Sequence, residues 1–270
     1  MPERPDLDYV VPLLDRELRG RTLTAMRVRK PVVLRAPSDV TGTVQGVSRL
    51  AHVVLIDLGD RVLAISPMLA GRFQLDGRET ADLAVAWRLD DGRELRYRDE
   101  VQMGKVYLLA PGARPKGLET VGVDVLSPAF TREHFRALAR TRRDQVKVFL
   151  MDKGALDAMG NAYADEVLWE ARIHPKRMVR ELSPDEVDTL HDAIVHVLES
   201  AGRTIRERAP PLEEKLRDFL HVRGRKNQPC DRCGTTLRTT GVHSHDAYFC
   251  PTCQPDLKGR WFVDWRRLPT

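Results

Sequence analysis

The stretch MDKGALDAMGNAYADE, from Met151 to Glu166, is where the chain declares its architecture. Gly154 and Gly160 bracket a double turn, and Asn161 stands where it can cap a helix starting at Ala162. The free N–H groups at such a helix start form a natural phosphate site. Read alone, the same residues also describe a helical hairpin with an ordinary cap.

Helical patterning extends on both sides, over residues 131–221. Ser183-Pro184-Asp185-Glu186 joins a cap to a proline at the first helical position and acids in the first turn, which predicts a long amphipathic helix to about Ser200. Pro210-Pro211 predicts a shorter helix through Leu220. Upstream, Ser127-Pro128 marks a boundary, because a residue before proline resists helix. From about Leu23 to Val125, short apolar runs such as VVLI at 53–56, RVLAI at 61–65 and KVYLLA at 105–110 alternate with turn signals. That texture predicts a β-sandwich or barrel. Residues 6–19 lead it with one amphipathic helix built on Leu7, Val10, Val11, Leu14 and Leu18.

Composition narrows the class. A chain of 270 residues with 42% hydrophobic and 31% charged residues supports two domains with real cores and excludes a disordered protein. No apolar run reaches the ~20 residues of a spanning helix, so no membrane partner is expected. The opening MPERPDLDYV lacks the basic start and apolar stretch of a secretory signal, which predicts a cytoplasmic protein. The net charge of +5 is uneven: Arg203 to Thr270 holds fourteen Lys/Arg against eight Asp/Glu, or +6, leaving −1 for the rest. A basic C-terminal region suits a polyanion partner, and equally a surface solvated by arginine.

The four cysteines form two pairs, Cys230-Asp231-Arg232-Cys233 and Cys250-Pro251-Thr252-Cys253, sixteen residues apart. This spacing is that of a structural zinc site, in which two knuckles close a tetrahedron and leave no open position. Two disulfides are the alternative, and a reducing compartment disfavours them. His243 and His245 lie between the pairs as loop residues, since four thiolates already complete the site.

Three segments together resemble one family. MGNAYADEVLWEARIHP, from Met159 to Pro175, is similar to the helix–two-turns–helix motif of the formamidopyrimidine-DNA glycosylase and endonuclease VIII family. Gly224-Arg225-Lys226 leading to Pro229-Cys230, with Ala247-Tyr248-Phe249-Cys250 on the return, resembles its zinc finger, and Met1-Pro2-Glu3-Arg4-Pro5-Asp6 resembles its start. The resemblance implies an α+β protein: an N-terminal helix plus β-sandwich over 1–126, a helical domain over 127–221, and a zinc finger over 222–270. DNA is expected between them.

The family's chemistry then maps residue by residue. Removal of Met1 would leave Pro2 with a free secondary amine, whose pKa near ~8 leaves an appreciable neutral fraction. That amine would attack C1′ of a damaged nucleoside and form an iminium. Glu3 would be the general acid at the sugar ring oxygen. Asn161 would bind backbone phosphate, and Arg143 and Lys147 would lie on the DNA-facing side with Arg225 and Lys226 at the finger entry. Without the family, each has an ordinary role: a second residue, a helix-start acid, a solvated helix face.

Some positions depart from the family. His52, in SRLAHVVLID, stands where the family has a phosphate-gripping lysine, and His245 where it has the finger's arginine. Imidazole donates similar hydrogen bonds but carries a pH-dependent charge. Leu69 corresponds to the methionine of the family's wedge, and Val101-Gln102-Met103 to its Arg–Phe pair. Apolar side chains still intercalate, but the contact with the orphaned base is gone.

The expected function is a base-excision glycosylase with abasic-site lyase activity, acting as a monomer on double-stranded DNA with a damaged base or abasic site, with one structural zinc. The alternative is a non-cleaving damage-binding protein of the same fold. An unrelated zinc-ribbon protein would explain the cysteines but neither the start nor the Asn161 segment.

Overall fold

The structure is a computed structural model and describes residues 2–157 and 159–256. Met1, whose removal the family mechanism requires, lies outside the described residues. The chain forms two compact units, one from residues up to Val121 together with Ala201–Leu216, the other from Gly122–Ser200 and the chain from Arg217 onward.

The first unit starts with helix α1 (Arg4–Leu18). Leu7, Val11, Leu14 and Leu18 recur at intervals of three and four, so they share one face, and all four are buried. Each fully buried leucine contributes about 2 kcal/mol of transfer free energy. Glu3 is the N-cap, and its backbone N–H donates to Asp6 Oδ2 at 2.8 Å within a capping box.

Ten strands follow: β1 (Thr22–Val28), β2 (Leu34–Arg35), β3 (Gly42–Thr43), β4 (Gly46–Leu50), β5 (Val53–Asp57), β6 (Val62–Ser66), β7 (Arg72–Leu75), β8 (Leu83–Leu89), β9 (Glu94–Arg98) and β10 (Lys105–Leu109). They make two five-stranded sheets, ordered β3-β1-β8-β9-β7 and β2-β10-β6-β5-β4. This is the β-sandwich that the alternating texture predicts. Strand β8, in the middle of its sheet, buries Leu83, Ala84, Val85, Ala86, Trp87 and Leu89. A central strand covered on both faces reads as a continuous apolar run, as LAVAW at 83–87 does.

The second unit pairs β11 (Val123–Asp124) with β12 (Leu156–Asp157) and carries α2 (Arg132–Arg140), α3 (Val146–Leu150), α4 (Asn161–Glu170) and most of α5 (Pro184–Arg208). The expected cap of α5 is present: Ser183 Oγ accepts from the Glu186 N–H at 3.2 Å, and Glu186 Oε2 accepts from the Ser183 N–H at 2.8 Å. The helix runs on to Arg208 rather than stopping near Ser200. Strands β13 (Arg238–Val242) and β14 (His245–Phe249) close a hairpin over the two-residue turn His243-Ser244, with His243 at φ +50°.

One element differs from expectation. Residues after Pro210-Pro211 form turns, not a helix. Ala209 adopts φ +43° and ends α5, and Pro211 disfavours helical backbone at Pro210, so the helix does not resume there. Among the described residues, no helix is long and apolar enough to cross a membrane.

Candidate active site and metal centre

In the first unit, Pro2 is buried directly ahead of the α1 cap. It lines a recess with Asp6, Gly71, Arg72, Pro210 and Leu216. Glu3, 4% exposed, follows it at the helix start. Gly71 and Arg72 end the loop that presents Leu69, so Pro2 and the expected wedge belong to one unit.

The residues expected to form the wedge are exposed. Leu69 (60% exposed), Val101 (52%) and Met103 (42%) are three of the four large hydrophobic side chains left exposed among the described residues. Their two loops are braced from beneath by a pair that sequence reading missed. Asp99, fully buried, accepts from the backbone N–H of Gln102 at 3.0 Å and of Gly104 at 2.7 Å. The buried Tyr97 hydroxyl lies 3.3 Å from Asp99 Oδ2 and 3.5 Å from the Pro67 carbonyl. Burial, then the Asp99 charge, raises the Tyr97 pKa, so it stays a donor. Met68 (φ +47°) and Gln102 (φ +59°) hold left-handed backbone beside the exposed side chains, a cost that this bracing sustains. At Gly71 and Gly104 a Cβ would collide with Tyr97 Oη, which explains glycine at both. His52 sits in the turn between β4 and β5 and is only 6% exposed. It is an enclosed side chain, in contrast to the open phosphate contact expected of it.

The metal centre lies in the second unit. The four cysteine sulfurs fall within 4.8 Å of one another, and none is in a disulfide. Cys230–Cys253 measures 4.0 Å, and Cys233–Cys250 and Cys233–Cys253 3.5 Å each. Four thiolates about 2.3 Å from one Zn²⁺ define a tetrahedron with edges of about 3.8 Å, so the donor set fits. Trp169 of α4 joins this centre to the helix–two-turns–helix segment. Its indole donates to Cys230 Sγ at 3.4 Å, its ring stacks on His221 at 4.5 Å, and the Arg232 guanidinium covers it at 3.9 Å.

Asn161 is the first residue of α4, after the N-cap Gly160, and does not cap the helix itself. Its side-chain amide turns away and donates to Asp246 Oδ1 at 2.8 Å. Arg223 Nη1 donates to the same oxygen at 3.1 Å and to Asp165 Oδ2 at 3.0 Å. Lys147, expected on a DNA-facing surface, is instead fully buried, bonded to Asp165 Oδ1 at 2.6 Å and to the Asp246 carbonyl at 2.5 Å. Helix α3 is only five residues long, and its lysine turns inward to compensate Asp165. Burial lowers the Lys147 pKa and raises that of Asp165, while their mutual attraction opposes both shifts.

Arg225, also expected at DNA, braces the finger entry through the His221 carbonyl at 3.0 Å and Asp231 at 2.5 Å. It holds the Asp231 carboxyl down to about 2. Arg143, Lys226 and His245 are exposed.

Comparison with known proteins agrees with this arrangement. Residues 1–106 match the formamidopyrimidine-DNA glycosylase N-terminal domain, residues 121–208 the H2TH domain of the same glycosylase, and residues 227–255 the zinc finger found in FPG and IleRS. The formamidopyrimidine-DNA glycosylase of Symbiobacterium thermophilum is 34% identical, over 96% of this chain and 91% of its own. That of Cytobacillus firmus is 33% identical, over 94% of this chain and 100% of its own. Among solved structures, Lactococcus lactis Fpg in complex with DNA containing an oxidized pyrimidine superposes with a TM-score of 0.85 at 25% identity, covering 94% of this chain and 100% of that one. With sandwich, helix–two-turns–helix segment and four-cysteine finger in one order along the chain, this protein belongs to the formamidopyrimidine-DNA glycosylase family.

Proposed function

We propose that this chain excises a damaged base from double-stranded DNA and cleaves the abasic site through a Schiff base at Pro2. Once Met1 is removed, the Pro2 nitrogen is a secondary amine at the positive end of the α1 dipole, which disfavours a charged amine. Its lone pair bonds to C1′, and the base departs with the electrons of the glycosidic bond and takes up a proton. Glu3 protonates the ring oxygen, the ring opens, and an iminium links enzyme and sugar. The iminium draws electrons from C2′, whose proton then leaves as the 3′ phosphate is expelled.

The observation that supports this reading is the recess shared by Pro2, Asp6, Gly71 and Arg72, in the same unit as the loop of Leu69. Leu69 and Met103 act as the wedge, and flipping the nucleotide costs a few kcal/mol. Asn161, Arg143, Lys226 and His245 contact the backbone, and Lys147, Arg225 and His52 support them from within. The chain works as a cytoplasmic monomer without a membrane partner, organised as 1–126, 127–221 and 222–270.

Borohydride trapping on duplexes carrying an abasic site or a panel of oxidised bases tests this. The expected result is a covalent adduct that peptide mapping places on Pro2. An adduct on an internal lysine overturns the mechanism. Tight binding to the abasic duplex with no adduct makes the chain a non-cleaving damage-binding protein.

A further inference from the structure

Two donors from distant parts of the chain converge on one oxygen. Asn161 Nδ2 at 2.8 Å and Arg223 Nη1 at 3.1 Å both point at Asp246 Oδ1. A carboxylate oxygen held by an amide and a guanidinium has the hydrogen-bonding environment of a phosphodiester oxygen. We propose that Asn161 and Arg223 form a two-donor phosphate cradle, that Asp246 fills it in the free protein, and that the DNA backbone displaces it. This rests on the reading of the chain as a DNA glycosylase. It adds Arg223 as a phosphate contact and gives Asp246 the role of an internal competitor.

The surroundings let the cradle exchange its anion without rearranging. Arg223 is anchored by Asp165 Oδ2 at 3.0 Å and lies over the Tyr248 ring at 4.8 Å, so it keeps its place when Asp246 leaves. Lys147 holds the Asp246 carbonyl and not its carboxylate, which fixes the strand and leaves the side chain free to turn. The Asp246 side chain is 50% exposed, so water is ready to receive it. Asp246 Oδ1 can only accept, as a phosphate oxygen can, so the Asn161 amide turns its nitrogen toward the cradle for either anion.

The charges point the same way. Lys147 and Arg223 balance Asp165 and Asp246, a neutral group of four. When Asp246 swings out, the remaining three carry one positive charge beside the incoming phosphate. A guanidinium keeps that charge at every working pH.

The test measures binding of the full zinc-loaded chain to a duplex carrying a tetrahydrofuran abasic analogue, by fluorescence anisotropy across a salt series. Asp246→Asn keeps the volume and removes the charge. It is expected to tighten binding on the order of threefold to fivefold, the scale of a half-exposed ion pair. Asp246→Ala should move affinity in the same direction and decides the matter if the first variant does not fold. Arg223→Gln should weaken binding and flatten the slope of log K against log salt by about one, while Arg223→Lys keeps the slope. Unchanged or weaker binding by both Asp246 variants, or an unchanged slope in Arg223→Gln, overturns the proposal and leaves the glycosylase reading standing. Failure of the unaltered protein to bind the duplex overturns both.

Discussion

The indole N–H of Trp169 points at the sulfur of Cys230, 3.4 Å away, so helix α4 is fastened to a metal ligand. Asn161 lies on the same helix two turns earlier. The zinc therefore positions the proposed phosphate contact Asn161 through α4. Cys250→Ser should release the metal, expose the cluster of Trp169, Val222 and Leu237, and weaken DNA binding. Hydrogen exchange should rise over 161–170 and 230–253 while β8 stays protected, since the sandwich has its own core. Full-strength DNA binding by metal-free protein would contradict this coupling.

The brace under the wedge gives a double-mutant prediction. A Cβ at residue 104 would fall on Tyr97 Oη, a side-chain atom that mutation can delete. At residue 71 it would also meet the Pro67 carbonyl oxygen, which is backbone and cannot be removed. Gly104→Ala and Gly71→Ala should each cost about 1–3 kcal/mol by overpacking. Tyr97→Phe should recover part of the loss in Gly104→Ala and much less in Gly71→Ala. Urea unfolding of the two double variants checks it; equal recovery would mean that the hydroxyl is not the obstacle.

His174 makes stability depend on acid. Burial, reinforced by Lys176 and only partly offset by Asp256, lowers its pKa from 6.5 to about 4. The ring is 2% exposed, accepts from the Lys176 N–H at 3.3 Å and meets Phe249 edge-on at 4.8 Å. Between about pH 6.5 and 4 the unfolded chain holds a proton that the folded chain refuses. Stability should therefore fall as pH drops through that window and be flat above it on this account. His174→Gln should lower the slope of urea midpoint against pH there. An identical slope in both proteins would assign the acid sensitivity elsewhere.

What the sequence made legible was local. The Cys-x-x-Cys pairs, the Ser183–Glu186 cap and the α1 stripe are each written within a few residues, and each folds as its pattern says. The roles of Lys147, Asn161 and Arg225 were not legible, because each is decided by a partner contributed from elsewhere in the fold or by a loop that turns back. Lys147 is buried by a carboxylate 18 residues away and a carbonyl 99 residues away. Asn161 bonds across 85 residues, so its capping propensity loses to a tertiary contact. Arg223 carried no signal in a basic stretch, and only its convergence with Asn161 on one oxygen singles it out. The turns after Pro210 were not legible either, because proline suits the first turn of a new helix and the irregular chain just past an old one alike.

Glu3 has two duties in the proposed mechanism, and one substitution separates them. As N-cap of α1 it shares a capping box with Asp6, and as general acid it must hold a proton for the sugar ring oxygen. Glu3→Gln keeps an acceptor oxygen and the shape of the side chain, so the helix start should survive, with a stability change of at most ~1 kcal/mol. It removes the transferable proton. Release of a damaged base, which needs the ring oxygen protonated, should then fall by about 10²–10⁴, the usual worth of a positioned acid. Reaction at a preformed abasic site should fall far less, because that sugar already opens to its aldehyde in water and presents C1′ to the Pro2 amine. Single-turnover assays on the two duplexes, with borohydride trapping as the common readout, give the ratio directly. Pro2→Gly should slow both reactions together, since a primary amine replaces the secondary one in each. Equal loss on both duplexes in Glu3→Gln would place Glu3 in a step that follows ring opening.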